Sequence, residues 1–195
     1  MRLFPKLLVR ARCHQFLLRQ YCGDTRGVIA VEFALLLPIA LVLLAMMVVF
    51  SQGMSIAQRV NLASRTVTDL VSQQSSSVSV ANLTCILGST ASVLTPWDSS
   101  NLSVVVSEVK IDISGNATVI WSQAAFNGIA RVIASVIPAS SINTTFAKNS
   151  YNILGEVSYN YIPLNIYFSP TSTYTLSEAI YMVPRNSPNI SLSPN

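Results

Sequence analysis

Twenty-three consecutive residues, Val28 to Phe50, read VIAVEFALLLPIALVLLAMMVVF and carry one charge, Glu32. As a helix rising about 1.5 Å per residue, this run extends roughly 35 Å, enough to cross a hydrocarbon core of about 30 Å with some tilt. A buried helix in a soluble domain is shorter and keeps a polar stripe, so the run predicts a membrane-crossing helix over 28–50. It also exceeds the roughly 7 to 15 apolar residues of a cleaved secretory signal, and no small-x-small cleavage site follows it.

The charges on either side set an orientation. Arg2, Lys6, Arg10, Arg12, Arg19 and Arg26 precede the run with Asp24 as their one acidic neighbour. Beyond it, Arg59, Arg65, Lys110, Arg131, Lys148 and Arg185 are matched by Asp69, Asp98, Glu108, Asp112, Glu156 and Glu178. The net charge of +4 therefore arises entirely before and within the start of the apolar run. By the positive-inside rule the N-terminus stays in the cytoplasm and the rest is exported. Nucleic acid is not an expected partner, because the basic groups flank a membrane segment and the exported part is neutral.

Where the basic segment meets the apolar one, the chain reads Arg26-Gly27-Val28-Ile29-Ala30-Val31-Glu32-Phe33-Ala34-Leu35-Leu36-Leu37-Pro38. This resembles the class III signal of the pilin superfamily, in which a basic leader ends in Gly and Glu is the fifth residue after it. With VEFAL and the following Leu-Pro it looks most like the TadE-like pseudopilins of the tight-adherence (Flp-type) pilus system, whose TadF-like relatives share the same signal. The resemblance is strong over residues 26 to 71 and looser beyond. There, Glu156-Val157-Ser158-Tyr159-Asn160-Tyr161-Ile162-Pro163 and Tyr181-Met182-Val183-Pro184-Arg185 are similar to that family's closing strands.

The resemblance implies a minor pseudopilin acting in biogenesis of a type IVb pilus for surface attachment. It implies processing between Gly27 and Val28 by a prepilin peptidase, and assembly through Glu32 and Phe33. The implied partners are that peptidase, other pilin and pseudopilin subunits, an inner-membrane assembly platform and the lipid bilayer. The implied location is a single pass through the bacterial inner membrane, N-terminus inside.

Elementary chemistry is consistent with these residue types. A peptidase fits an extended backbone into its cleft, and Gly27 has no side chain to obstruct it. Cleavage there exposes an ammonium on Val28, and Glu32 lies four positions on, on the same helical face. Its carboxylate can offset that cation in its own chain or in a neighbour, or it can simply favour a helix N-terminus and reach for the interface. Pro38 likewise has two readings: a kink useful when a subunit leaves the membrane, or a proline of the kind membrane helices tolerate.

Beyond Phe50, Ile56, Val60, Ala63, Val67, Leu70 and Gln74 recur at heptad spacing, predicting a stem helix over 51–74 with its other sides covered by Gln58, Arg59, Asn61, Ser64, Arg65, Thr68 and Asp69. Such a stripe packs on the chain's own domain or on a partner helix. The Ser-rich SQQSSSVS at 72–79 reads as a flexible connection or loop, and a polar loop region is expected over 75–101. Leu102 to Ile113 and Ala117 to Ser122 are β-branched runs around Ser114-Gly115-Asn116, a hairpin signal. Phe126, Ile129, Ala130, Ile133 and Ile137 recur at helical spacing up to Pro138, predicting a short helix. Ile153, Val157, Tyr159 and Tyr161 alternate as a strand, and Tyr174 to Val183 reads as a last one. The expected fold is α+β and pilin-like: a cytoplasmic leader (1–27), a membrane helix (28–50) running into the stem, and a small antiparallel sheet with one short helix over 102–195.

Catalytic signals are missing. The single histidine, His14, lies in the leader, as do Cys13 and Cys22, so the exported part has Cys85 alone and no histidine. Cys85 reads as a buried apolar residue or as a thiol pairing with another protein. Trp97 and Trp121 read as core. Glu108 and Asp112, alternate on a strand, read as a solvated face rather than a cation site. No cofactor, metal or enzyme activity is expected. Two further function classes stay open: a signal-anchored adhesion or binding module, separated from the pseudopilin by the Gly27 and Glu32 signal, and an envelope enzyme.

Overall fold

The computed structural model describes residues 26–142, 146–163 and 173–193, which leaves residues 1–25 of the leader, with Cys13, His14 and Cys22, outside the described residues. The chain forms two compact units, one ending at Val48 and one running from Val49 to Asn195.

Over its described residues the first unit is helical. Helix α1 spans Arg26–Ser72 and contains Pro38. Within 28–48 every side chain except that of Val42 is exposed. The most apolar 18-residue window reaches a mean hydropathy of 3.0, with none of it buried in the protein. This helix is long and apolar enough to cross a membrane. Apolar surface left uncovered over so great a length is stable in hydrocarbon and not in water.

The second unit begins with the last part of α1. Ile56, Val60, Ala63, Val67 and Val71 are buried along one side, which bears out own-domain packing of the stripe. The expected seam slips at its end. Leu70 is 37% exposed, Val71 is buried in its place, and the helix stops at Ser72, before Gln74. A straight α-helix drifts by about 20° per heptad, so a seam that starts on the heptad positions moves off them within two repeats. Ser64 and Thr68, expected on an outer side, are fully buried. They face the one strand position where a glycine leaves room for them.

The sheet has five strands: β2 (Leu102–Ile111), β3 (Ala117–Phe126), β4 (Val136–Ile137), β5 (Tyr151–Tyr161) and β6 (Tyr174–Met182), in the order β4-β3-β2-β5-β6. All its pairings are antiparallel. The predicted hairpin is present. Asp112 accepts from the Asn116 amide, and Gly115 sits at φ +88°, a left-handed conformation glycine adopts without steric penalty. Between Val119 and Trp121 the register shifts by one residue. This bulge lets two residues that would share a face turn to opposite ones: Trp121 joins the main core, while Val119 joins a smaller cluster with Val109, Ile111, Ala117, Ile137 and Leu154.

Residues 75–101, expected as a polar loop, hold structure. Ser77–Ser79 forms a short strand, β1, that pairs in parallel with Ser191–Ser193, β7. Helix α2 follows over Val80–Leu94, capped by the Ser79 side chain, which accepts from the Asn82 amide at 3.2 Å. Leu83, Leu87, Thr90 and Leu94 are its buried side, so the fold's short helix lies here. The Ser, Thr and Gly residues scattered through it mask the stripe in a composition reading. Cys85 lies on its exposed side, which corrects the buried reading.

The segment expected as a helix at 126–137 is instead a strap along the edge of β3. Ala134 N–H donates to Val119 O at 2.8 Å and Val119 N–H to Ser135 O at 3.0 Å. The apolar spacing is there, but Ile129 and Ile133 are exposed and have no surface to pack on. The unpaired edge of β3 offers the backbone a better set of partners. A Cβ on Gly128 would fall 2.4 Å from Val104 O, so the strap can start its turn this close to β2 only with glycine.

Candidate functional site

Gly27, Val28, Glu32 and Phe33 all lie in the first two turns of α1, and all four are exposed. A Cβ on Gly27 would meet nothing within 4 Å, so no packing within the described structure calls for a glycine here. Glycine weakens a helix by up to about 1 kcal/mol relative to alanine, which leaves the residue unexplained by this fold. Val28 and Glu32 are one helical turn apart, separated by a rise of about 6 Å. Among the described residues Glu32 has no hydrogen-bond or ion-pair partner and is the one acid in an otherwise apolar face. The arrangement is an exposed glycine followed, just over a turn later, by a carboxylate with no partner among the described residues, near the start of a membrane-length helix.

The second unit has two polar constellations that sequence reading did not anticipate. Glu108 is 1% exposed and faces the main core, not solvent. Asp112 is in the hairpin turn, so the two acids do not share a face. The Ile190 amide donates to Glu108 Oε1 at 2.6 Å, and Trp121 Nε1 donates to the Ile190 carbonyl at 2.6 Å. Both groups of one buried residue near the C-terminus are thus held by side chains from β2 and β3. Burial pushes the Glu108 carboxyl above the usual glutamate range, partly opposed by the hydrogen bond from the Ile190 amide. No local pattern signals this, because the partner lies 82 positions away. The same tail is tied to the end of α1 by the Arg185–Asp69 ion pair and by Asn186 Nδ2, which donates to Gln73 O at 2.6 Å.

On the opposite face of the sheet Arg131 grips Glu156 with two bonds, Nε to Oε2 at 2.6 Å and Nη2 to Oε1 at 2.7 Å. Ser103, Asn127, Ser158 and Ser177 line the open groove around this pair. Glu156 is the main reason the Arg131 guanidinium is held firmly charged. An arginine already neutralised by a bidentate carboxylate is a poor acid or base. Among the described residues no group of three or more His, Cys, Asp or Glu is placed to hold a metal ion.

A membrane-length N-terminal helix, a second short helix and an antiparallel sheet define the class: an α+β protein with one candidate membrane span among the described residues. Within that class, residues 27–69 match the family model described as TadE-like protein. The match opens on Gly27, takes in Val28, Glu32 and Phe33, and closes on Asp69, the partner of Arg185. It does not extend to the sheet. No curated protein and no solved structure gave a significant match to the chain.

Proposed function

We propose that the protein is a minor pseudopilin, cut after Gly27 by a prepilin peptidase and used in biogenesis of a tight-adherence pilus. The observation that carries this is the coincidence of the TadE-like match with a glycine that packing does not require and a Glu one turn into the new chain. In this reading the chain is an assembly component, not an enzyme. Residues 28–50 lie in the inner membrane, and the second unit is exported. Its partners are the peptidase, other pilin and pseudopilin subunits and the inner-membrane assembly platform. Glu32 offsets the ammonium on Val28 of an adjacent subunit, because an apolar surrounding gives that cation no water to turn to. Phe33, exposed beside it, supplies apolar contact at the same level of the helix bundle.

Intact-mass analysis of the protein from its native host tests the reading. The expected product has 195 − 27 = 168 residues and begins at Val28, and a strain lacking the peptidase accumulates the longer chain. An unprocessed chain in the native host would reject the pseudopilin assignment in favour of a permanently anchored binding module.

A further inference from the structure

Among the described residues, one end of the sheet carries large apolar side chains that are mostly exposed. Ser103 of β2 pairs with Phe126, Leu102 with Tyr159 and Tyr161 with Tyr174, so these residues share one end of the sheet. Ile162 follows β5 directly, and Ile129 follows β3 after two residues, Asn127 and Gly128, the second of which keeps the turn tight. Phe126 is 42% exposed, Ile129 86%, Ile162 56% and Tyr174 58%. With strands about 4.8 Å apart, the row from β3 to β6 is about 15 Å wide.

The same end is where the chain leaves its apolar run. The Tyr161 hydroxyl donates to the Val49 carbonyl at 3.4 Å and to Gln52 Oε1 at 3.3 Å. Its ring lies 3.7 Å from where a Cβ on Gly53 would be. Val49 and Phe50 are the last residues of the 28–50 run. A chain that emerges from lipid at Phe50 therefore brings Tyr161, and the sheet end around it, to the level of the headgroups. Aromatic side chains with one apolar and one polar end are suited to that zone.

We propose that Phe126, Ile129, Ile162 and Tyr174 form a foot by which the exported unit rests in the headgroup layer of the bilayer. This rests on the reading of 28–50 as a membrane anchor. The charges around this end do not favour anionic lipid. Arg59 donates to the carbonyls of Val93 and Thr95, Asp98 holds Ser100, and Arg131 is neutralised by Glu156. The attraction is apolar, so zwitterionic lipid suffices and salt has little effect.

The test uses the full chain with Cys13, Cys22 and Cys85 replaced by serine, reconstituted in phosphatidylcholine vesicles. A single cysteine is introduced by Ile129→Cys at the foot, by Ile113→Cys beside the turn at the far end of the sheet, or by Leu43→Cys within the span, and labelled with an environment-sensitive fluorophore. Lipid bearing a nitroxide on its headgroup should quench the label at 129 several-fold more than the label at 113, at low and high salt alike. Lipid with the nitroxide on its acyl chain should quench the label at 43. Equal quenching at 129 and 113, with 43 quenched, would overturn the foot and leave the anchor standing. A label at 43 that escapes quenching would overturn both. Self-quenching at 129 that fades as the protein is diluted in lipid, without headgroup quenching, would assign the surface to a second copy and overturn the foot.

Discussion

Gly155 of β5 lies directly under Thr68 of α1: a Cβ added to Gly155 would fall 1.9 Å from Thr68 Oγ1 and 3.1 Å from its Cβ. The Ser64 hydroxyl donates to the Gly155 carbonyl at 3.1 Å, and the Thr68 hydroxyl donates back to Ser64 O at 2.6 Å. Helix and strand approach closely here because the strand has no side chain and the helix has small ones that satisfy their own hydroxyls. Gly155→Ala should therefore lower stability by about 1 to 3 kcal/mol through overpacking. Thr68→Ala in the same background should recover part of that loss. Thermal unfolding of the two single variants and the double variant measures the coupling, and simple additivity would mean that the two residues do not meet.

The proposed role of Glu32 in assembly can be tested separately from the proposed cleavage. Glu32→Gln should leave cutting after Gly27 largely intact, since the peptidase reads the glycine and the start of the helix, while incorporation and pilus-dependent adherence fall. An unpaired charge in hydrocarbon costs about 2.5 to 3.5 kcal/mol on insertion scales, roughly a hundredfold in an equilibrium. Glu32→Asp should rescue only partly because its arm is shorter. Processed subunit and surface pili are quantified in one strain, and normal piliation would reject the pairing with Val28. A carboxylate that only favours its own helix would account for about 0.3 to 1 kcal/mol.

Glu108 gives a pH dependence with a definite sign. Its carboxyl is pushed up in the fold by burial, so the unfolded chain ionises first. Stability from this group is complete below the ordinary glutamate value of about 4.3 and is lost as pH rises through the higher folded value. Glu108→Gln keeps an acceptor for the Ile190 amide and removes the buried charge, so it should equal or exceed the native chain in stability at pH 7, with the difference shrinking on acidification. Glu108→Ala leaves that amide unpaired and should destabilise by about 1 to 3 kcal/mol. Denaturant titrations across the acid range distinguish the variants. A stability difference between Glu108→Gln and the native chain that does not change with pH would contradict the assignment.

The Arg131–Glu156 pair should matter little to stability despite its two short bonds. Both side chains retain about a third of their exposure, 37% and 28%, so solvent screens the attraction. Glu156→Gln is expected to change unfolding free energy by less than about 1 kcal/mol, with added salt narrowing the difference further. A much larger effect in a chemical-denaturation experiment would show that the pair organises the groove.

Topology is tested by fusion. If the basic residues before Val28 hold the N-terminus inside, as the positive-inside rule implies, a reporter placed after Asn195 should be active outside the cytoplasm. Activity confined to the cytoplasm would reverse the orientation.

The sequence alone determined what depends on neighbours along the chain. The apolar run at 28–50, the Gly27 and Glu32 junction, the hairpin around Gly115 and the alternation through β5 are periodic or compositional signals, each complete within a few turns or residues. Tertiary structure decided what depends on partners far away. The apolar spacing at 126–137 would suit a helix if a surface were there to bury it, but the open edge of β3 took the backbone instead. Helix α2, weakly marked by composition, formed because Leu83, Leu87 and Leu94 had a core to enter. Ser64 and Thr68 turned inward only because Gly155, 91 positions from Ser64, left space above its strand. Glu108 is buried and not solvated because the tail returns Ile190 to meet it, and a contact between residues so far apart leaves no trace in the local pattern of either.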